Sequence, residues 1–175
     1  MTPSADLAWI RITLERYQTP LLRYAATLVG DGLADDVVQD TFMRLIAARR
    51  EDVEGHVVAW LFTVCKNRAL ELKRGRARET PMEEGQEMIS TQPTPADALE
   101  QRDERSRILR LVDELPERHR EVVTLRFAGG LSYREIAGVT GLSETNVGFI
   151  LHTALKTLKK RLAEIDASDT GRRAS

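Results

Sequence analysis

The residues with the clearest capacity for chemistry share one face of a predicted helix in the first half of the chain. Positions i, i+3, i+7 and i+14 fall on the same side of a helix. This spacing holds Trp60, Thr63, Asn67 and Arg74, and Lys66 and Lys73 flank them. A ring can stack on a base while cations hold phosphates, so the set suits single-stranded nucleic acid. Charge runs are usually solvated surface, and the alternative that Trp60 is packing and the cations only solubilise the helix end stays open at this point.

Enzyme motifs are missing from the sequence. His56, His119 and His152 fall in different predicted elements without metal-ligand spacing, and there is neither a G-x-S-x-G motif nor a phosphate loop. The only cysteine, Cys65, excludes an internal disulfide, and its apolar helical surroundings predict a buried structural thiol. We therefore expect no catalytic residues, no metal and no cofactor.

A helix-turn-helix is predicted over residues 131–162. Ser132 and Glu135 have the spacing of a capping box, Gly141 marks the turn, and Ser143 can cap a second helix. In this motif the second helix is built to enter the DNA major groove. The alternative is a plain helical hairpin in the core of a bundle.

Composition favours an all-α protein whose charge is divided into zones. The chain has 175 residues, of which 30% are charged and 5% aromatic, and its net charge is −1. Cations crowd residues 66–78 and carboxylates follow at 79–104, so the total hides a basic and an acidic zone. Neither a signal peptide nor an apolar run long enough for a membrane is present, which predicts a cytoplasmic protein without membrane insertion.

Apolar periodicity divides the chain into two helical halves. Helices are predicted at about 5–29, 33–48, 56–74, 95–115 and 116–127, followed by the helix-turn-helix. Pro20 is expected to kink or divide the first helix. An acidic, proline-containing segment at 81–96 reads as a flexible linker, so the halves should move as separate bodies unless a partner orders them. Residues 166–175 are predicted to be a disordered tail.

The second predicted helix carries a polar face opposite its apolar one. This face is formed by Asp36, Gln39, Asp40 and Met43. A solvated surface whose early carboxylates favour the helix dipole is the ordinary interpretation. Binding of a partner becomes attractive only together with the rest of the chain.

Two blocks of sequence resemble bacterial sigma-70 family factors of the small, extracytoplasmic-function (ECF) kind. The first is LADDVVQDTFMRLI at 33–46 followed by AWLFTVCKNRALELKRGRAR at 59–78, which is similar to family region 2. The second is LPERHREVVTLRFAGGLSYREIAGVTGLSETNV at 115–147, which is similar to family region 4. The blocks stand in the family's order, with the acidic segment between them.

The resemblance implies two helical domains, a region 2-like bundle at 5–80 and a region 4-like helix-turn-helix domain at 97–165. It implies that the face of Asp36, Gln39, Asp40 and Met43 docks on core RNA polymerase. It also implies that the third helix melts and holds the promoter −10 element, through a set of residues matched to that stretch: Trp60, Lys66, Asn67, Lys73 and Arg74. The linker, in turn, would thread through basic channels of the polymerase and mimic a phosphate chain there.

The second helix of the helix-turn-helix departs from the family pattern because it is poor in cations. Its predicted contacts with the promoter −35 element are Ser143, Thr145, Asn146, Phe149, His152, Thr153 and Lys156. Phe149 can touch a thymine methyl. Gly148 costs about 1 kcal/mol in a helix relative to Ala, which a close approach to DNA or to another helix would explain. Alternatively, Phe149 packs back on the preceding helix and Gly148 merely makes room.

The predicted function is that of a sigma factor, whose partners are core RNA polymerase, promoter DNA and, as the family commonly has one, an anti-sigma factor. Two alternatives remain. One is a LuxR-type transcriptional regulator, and the other is a polymerase-binding protein that does not read DNA. The near-neutral charge also predicts weak binding of duplex by the free chain, since few phosphate contacts are available.

Overall fold

The computed structural model describes residues 3–79 and 107–173, and confirms the predicted all-α class. The predicted linker at 81–96 lies outside these residues. The elements, numbered in chain order, are α1 (Pro3–Val29), α2 (Asp31–Ala47), α3 (Arg50–Val53) with a 3₁₀ turn (Glu54–His56), α4 (Val57–Glu79), α5 (described at 107–113), α6 (Glu117–Phe127), α7 (Tyr133–Thr140) and α8 (Glu144–Arg173).

The first half is built from α1, α2 and α4, which pack on one another. Their apolar stripes meet in a core whose fully buried side chains include Leu21, Leu45 and Leu61. The chain turns between α1 and α2 at Gly30, whose φ of 78° is costly for residues with a Cβ. Helix α1 runs through Pro20 without a break, so the predicted division of this helix is wrong. The segments of α1 before and after Pro20 both pack on the core, and this packing outweighs the loss of the backbone hydrogen bond that proline cannot donate.

The second half is formed by α6, α7 and α8, with α5 beside them. Val122, Ile136, Val147 and Leu151 fill its core and are almost completely buried. Helix α8 extends through Arg173, so residues 166–173 are helical and not the disordered tail that the sequence predicts. An ion pair of 3.6 Å between the guanidinium of Arg107 and the carboxylate of Asp166 joins this extension to α5.

The two halves share one continuous hydrophobic core. Helix α6 packs against α1, and α7 packs against α4. The ring of Tyr24 meets that of Phe62 edge-on at 5.3 Å between centroids, and Phe62 reaches the turn after α6 at Gly129. This arrangement differs from the expected pair of independent bodies. The reason is that side chains of the first half bury apolar area against the second half, which favours association of the halves.

Cys65 is the structural thiol that the sequence predicts. It is fully buried in α4, and burial raises its pKa to about 12, although a hydrogen bond with Thr41 acts in the opposite direction. A thiol with so high a pKa is protonated at neutral pH and is a poor nucleophile.

The contact between the halves predicts a strong dependence on Gly129. A Cβ there would lie 2.6 Å from Leu131 Cδ1, 2.7 Å from the carbonyl oxygen of Leu125 and 2.9 Å from Phe62 Cε2. We expect Gly129→Ala to destabilise the chain by about 1–3 kcal/mol, because the backbone or the Phe62 ring must move. Urea unfolding followed by circular dichroism measures this loss.

Gly138→Ala is the matched control for this prediction. Gly138 lies in α7, and a Cβ there meets no atom within 4 Å. Its replacement should stabilise the helix by up to about 1 kcal/mol. Equal unfolding midpoints for the two variants would contradict the close approach at Gly129.

Candidate functional site

The predicted docking face of α2 is largely exposed, and one of its four residues has a structural role. Asp36, Gln39 and Met43 point outward, and the Met43 side chain is 59% exposed. Asp40 is only partly exposed, and its carboxylate accepts a hydrogen bond from the guanidinium of Arg68 on α4. The structure thus leaves three residues free on the α2 surface and uses the fourth to tie α2 to α4.

Ile46 extends this face and was missed by the sequence analysis. It lies three residues beyond Met43, one helical turn on, and is 54% exposed. The signal for it was its spacing of three from Met43, which continues the face of Asp36, Gln39, Asp40 and Met43 by one turn. An exposed isoleucine beside an exposed methionine gives the end of α2 an apolar surface next to its carboxylates.

The predicted nucleic-acid face of α4 divides into two stripes. Trp60 is half-buried and packs against the core, while Asn67 and Arg74 are exposed along the same side. The Thr63 hydroxyl donates to the carbonyl oxygen of Ala59 at 2.8 Å, as is common for threonine in helices. Packing therefore accounts for part of the Trp60 ring, and a role of its exposed part in binding nucleic acid stays a prediction.

Lys66 and Lys73 belong to the second stripe, which faces α6. The Lys66 ammonium lies 2.8 Å from Glu121 Oε1, and the Lys73 ammonium lies 3.7 Å from Glu117 Oε1. The structure does not join these lysines with Trp60, Asn67 and Arg74 in one exposed surface. This separation of the lysines could not be predicted from the sequence, because the sequence predicts that α6 belongs to a separate body.

Glu121 is the most connected carboxylate between the halves. Its Oε1 accepts hydrogen bonds from the hydroxyl of Tyr24 at 2.9 Å and from the ammonium of Lys66 at 2.8 Å. The side chains of Lys66 and Glu121 are only 18% and 13% exposed. Burial, and then the charge of Glu121, raise the pKa of the Tyr24 phenol. The hydroxyl thus remains a donor at all physiological pH values.

The helix-turn-helix has the local structure that the sequence predicts. The Ser132 hydroxyl accepts from the backbone N–H of Glu135, whose carboxylate accepts from the backbone N–H of Ser132 at 2.8 Å. Gly141 ends α7 with a φ of 76°. The Ser143 hydroxyl then accepts from the backbone N–H of Asn146 at 3.2 Å. Each cap satisfies an N–H group that the first helical turn leaves unpaired.

The predicted contact face of α8 is open to solvent. Its exposed members are Ser143, Thr145, Asn146, Phe149, His152 and Lys156, and Thr153 is partly exposed. Phe149 is 67% exposed, so the alternative that it packs back on the preceding helix is wrong. Leu155 is also exposed, because it lies about 80° around the helix from the buried Val147.

Gly148 lies against an aromatic ring of the preceding helix. A Cβ at this position would be 3.5 Å from Tyr133 Cε2, which is ordinary van der Waals contact. The Arg126 guanidinium lies over the same ring, 5.6 Å from its centroid. Since a methyl group fits here, packing within the chain does not require glycine.

The described ranges, 3–79 and 107–173, contain neither a cluster of metal ligands nor a membrane-spanning helix. Within them no three His, Cys, Asp or Glu side chains group as a metal would need. None of the helices described is both long enough and apolar enough to cross a membrane.

Comparison with known proteins decides the family. The Sigma-70 region 2 model matches residues 13–79, and the Sigma-70, region 4 model matches residues 105–158. The ECF RNA polymerase sigma factor SigL of Mycobacterium tuberculosis is 32% identical over 168 residues, which cover 93% of each chain. This chain belongs to the ECF sigma factors of the sigma-70 family. SigM of Bacillus subtilis, another ECF sigma factor, is 27% identical over 83% of this chain and 90% of its own.

Solved structures of sigma factors have the same fold. The sigma factor RpoE of Bartonella quintana, in complex with the anti-sigma factor NepR, superposes with a TM-score of 0.64 at 24% identity. The match covers 87% of this chain and 96% of that one. CnrH in complex with the cytosolic domain of CnrY gives a TM-score of 0.56 at 25% identity, over 89% and 88% of the two chains.

The capping box of this sigma factor predicts a dependence of its stability on pH. Hydrogen bonds from Ser132, first from its side chain and then from its backbone, lower the pKa of Glu135. A carboxylate with a lowered pKa stabilises the fold above its unfolded pKa of about 4.3, and this contribution is lost as pH falls through the folded pKa. We expect Glu135→Gln to cost about 1 kcal/mol at pH 7. The deficit relative to the natural chain should shrink below about pH 4.

Urea unfolding at several pH values measures this deficit. Glu144→Gln is the matched control, since Glu144 is the first-turn carboxylate of α8 and tests the general effect of a charge near a helix N-terminus. A deficit for Glu135→Gln that is equal to that of the control, or that grows in acid, contradicts the assigned role of the ionised carboxylate.

Proposed function

We propose that this chain is a sigma factor that binds core RNA polymerase and directs promoter recognition, DNA melting and transcription initiation. The observation that carries this function is the presence of region 2 and region 4 in one chain, in the family's order. The exposed surfaces on α2, α4 and α8 supply a separate site for each step.

We assign polymerase docking to α2. Asp36 and Gln39 offer a carboxylate and an amide, and Met43 offers a flexible apolar group. Such a surface fits a partner that is basic at its edge and apolar at its centre. Asp40 belongs to this set in our prediction, but its bond to Arg68 gives it a second task in holding α2 on α4.

We assign the −10 element to α4, through Trp60, Asn67 and Arg74, with Lys66 and Lys73 as phosphate partners. Taking a base out of the duplex costs a few kcal/mol. Stacking on an aromatic ring contributes about 1–3 kcal/mol for each base. These magnitudes are comparable, so a ring, an amide and cations on one helix can hold a melted strand.

We assign the −35 element to the exposed face of α8: Ser143, Thr145, Asn146, Phe149, His152, Thr153 and Lys156. Ser143 is occupied as a cap, so its remaining capacity is a contact with phosphate. The exposed Phe149 ring suits a thymine methyl group in the major groove. With few cations on this face, polymerase and the first half must supply much of the affinity for promoter DNA.

The remaining predictions fit this function. We propose domains at 5–80 and 97–165, an acidic linker at 81–96, a cytoplasmic location, and no enzymatic activity, metal or cofactor. RpoE was solved with the anti-sigma factor NepR bound and CnrH with the cytosolic domain of CnrY bound, and we propose that this chain binds an anti-sigma factor.

The two alternatives make different demands on the first half of the chain. A LuxR-type regulator would not need the docking face of α2 or the aromatic stripe of α4. A polymerase-binding protein without DNA readout would need α2 alone. Neither accounts for all three exposed surfaces.

In vitro run-off transcription separates these functions. We expect the chain to make purified core RNA polymerase initiate at specific start sites on genomic templates from its own source organism. The LuxR-type alternative predicts no transcripts with core polymerase alone. The second alternative, a polymerase-binding protein without DNA readout, predicts polymerase binding, seen by co-elution, without specific start sites.

The docking face is tested by Asp36→Lys. We expect this reversal of charge to weaken core polymerase binding by at least about tenfold, because like charges placed together at an interface cost several kcal/mol. Titration of labelled chain with core polymerase measures the dissociation constant. Asp52→Lys is the control, because Asp52 is exposed in the short α3 and undergoes the same change of charge. Equal losses in both variants contradict docking through α2.

A further inference from the structure

Two pairs of opposite charges lie between α4 and α6. Glu117 and Glu121 lie one turn apart on α6, and Lys66 and Lys73 lie two turns apart on α4. Lys66 pairs with Glu121 at 2.8 Å, and Lys73 pairs with Glu117 at 3.7 Å. The later lysine of α4 meets the earlier glutamate of α6, and this reversed order is usual for two helices that cross antiparallel.

The Lys66–Glu121 pair is shielded from water, and the other pair is not. With side-chain exposures of 18% and 13%, the first pair is screened little by salt. Lys73 and Glu117 are about half and two thirds exposed, so their attraction is weaker. Lys66 is therefore held firmly and Lys73 loosely.

The pair stabilises the fold less than its geometry suggests. Burying two charges costs several kcal/mol of lost hydration for each ion, and apolar residues of similar size often stabilise a protein as well or better. The carboxylates of Glu117 and Glu121 do, however, lie where the lysines of a nucleic-acid-binding helix would contact phosphate oxygens. Charge-assisted hydrogen bonds to a carboxylate and to a phosphate use the same donor.

We propose that Glu121, aided by Glu117, is an internal competitor for the melted DNA strand. In the free chain these carboxylates occupy Lys66 and Lys73, while Asp36, Gln39 and Met43 of α2 stay exposed. Polymerase can therefore dock before the lysines of α4 are released to phosphates. This inference rests on the assignment of α4 to the −10 element in the proposed function.

The bond from the Tyr24 hydroxyl makes the position of Glu121 depend on the contact between the halves. It belongs to the first half and donates to the same Oε1 of Glu121 that Lys66 contacts. Moving α6 away from α1 and α4 breaks both bonds together. Release of Lys66 is thus coupled to separation of the halves and does not require a change within α4.

The test is binding of a fluorescein-labelled oligothymidylate of about 12 nucleotides to the full-length free chain, since stacking is tolerant of sequence. For single strands each phosphate contact adds about 0.7 to the slope of log affinity against log salt. Freeing two lysines in the Glu117→Gln, Glu121→Gln variant should steepen this slope by about 1.4. The variant should then bind more tightly at low salt and lose about sevenfold more affinity than the natural chain between about 50 and 200 mM salt.

Glu114→Gln with Glu164→Gln is the matched control. It changes the net charge equally and removes the partners of Arg161 and Lys160 on α8, away from α4. A slope that changes equally in this control, or no change in the Glu117 and Glu121 variant, overturns the proposal. In a Lys66→Gln, Lys73→Gln background the two glutamate changes should have no effect on the slope.

Arg74→Gln separates this proposal from the assignment of α4. Arg74 is exposed on the stripe and does not face α6. If Arg74→Gln weakens binding and the glutamate variant leaves the slope unchanged, α4 binds the strand but the competitor is wrong. If neither variant changes binding, both the assignment and the competitor are wrong.

If circular dichroism shows that the glutamate variant does not fold, a measurement on the natural chain tests the proposal instead. Acetylation of lysines, followed by mass spectrometry, reports the access of the reagent to each amine, which burial and the contact with Glu121 restrict at Lys66. Lys66 should react severalfold more slowly than the exposed Lys156 of α8. Equal rates overturn the proposal.

Discussion

One helix, α4, has to satisfy three sets of neighbours at once, and the structure depends on this constraint. One side of α4 buries Leu61, Cys65 and Ala69 in a core with α1 and α2. A second side meets α6 and α7 through Phe62 and Lys66. The third carries Trp60, Asn67 and Arg74. Three tasks leave each about 120° of arc, and successive residues of a helix are about 100° apart, so nearly every position is committed.

Local signals in the sequence predicted most of the elements. The capping box of Ser132 and Glu135, the left-handed Gly141 and the second cap at Ser143 depend only on residues within a few positions of one another. The buried faces of α2 and α4 follow from apolar periodicity in the same way. These features could be read without any knowledge of the neighbouring elements, because the interactions that create them are local.

The contacts that could not be predicted from the sequence join residues that lie far apart in the chain. Glu121 meets Tyr24 and Lys66 across 97 and 55 positions, and Asp40 meets Arg68 across 28. No spacing rule brings such residues together. Apolar periodicity does not mark Phe62 as the residue that joins the two halves. The predicted face of α4 therefore divided, because the lysines turned toward a helix that the sequence placed elsewhere.

Helix α8 illustrates a different limit of prediction from the sequence. Its exposed face follows from the helical wheel, and the structure places Phe149, His152 and Lys156 in solvent as expected. The environment of Gly148 did not follow, since it depends on the Tyr133 ring from the preceding helix. Space for a methyl group there means that the choice of glycine is not explained by the packing of the free chain.

The ion pair between Asp40 and Arg68 has a mechanical consequence. It joins α2, which carries the predicted docking face, to α4, which carries Trp60, and the two helices also share a close-packed core. Close packing and the ion pair together favour movement of α2 and α4 as one unit. If α2 docks as proposed, its orientation on the partner therefore also determines where the Trp60 ring lies.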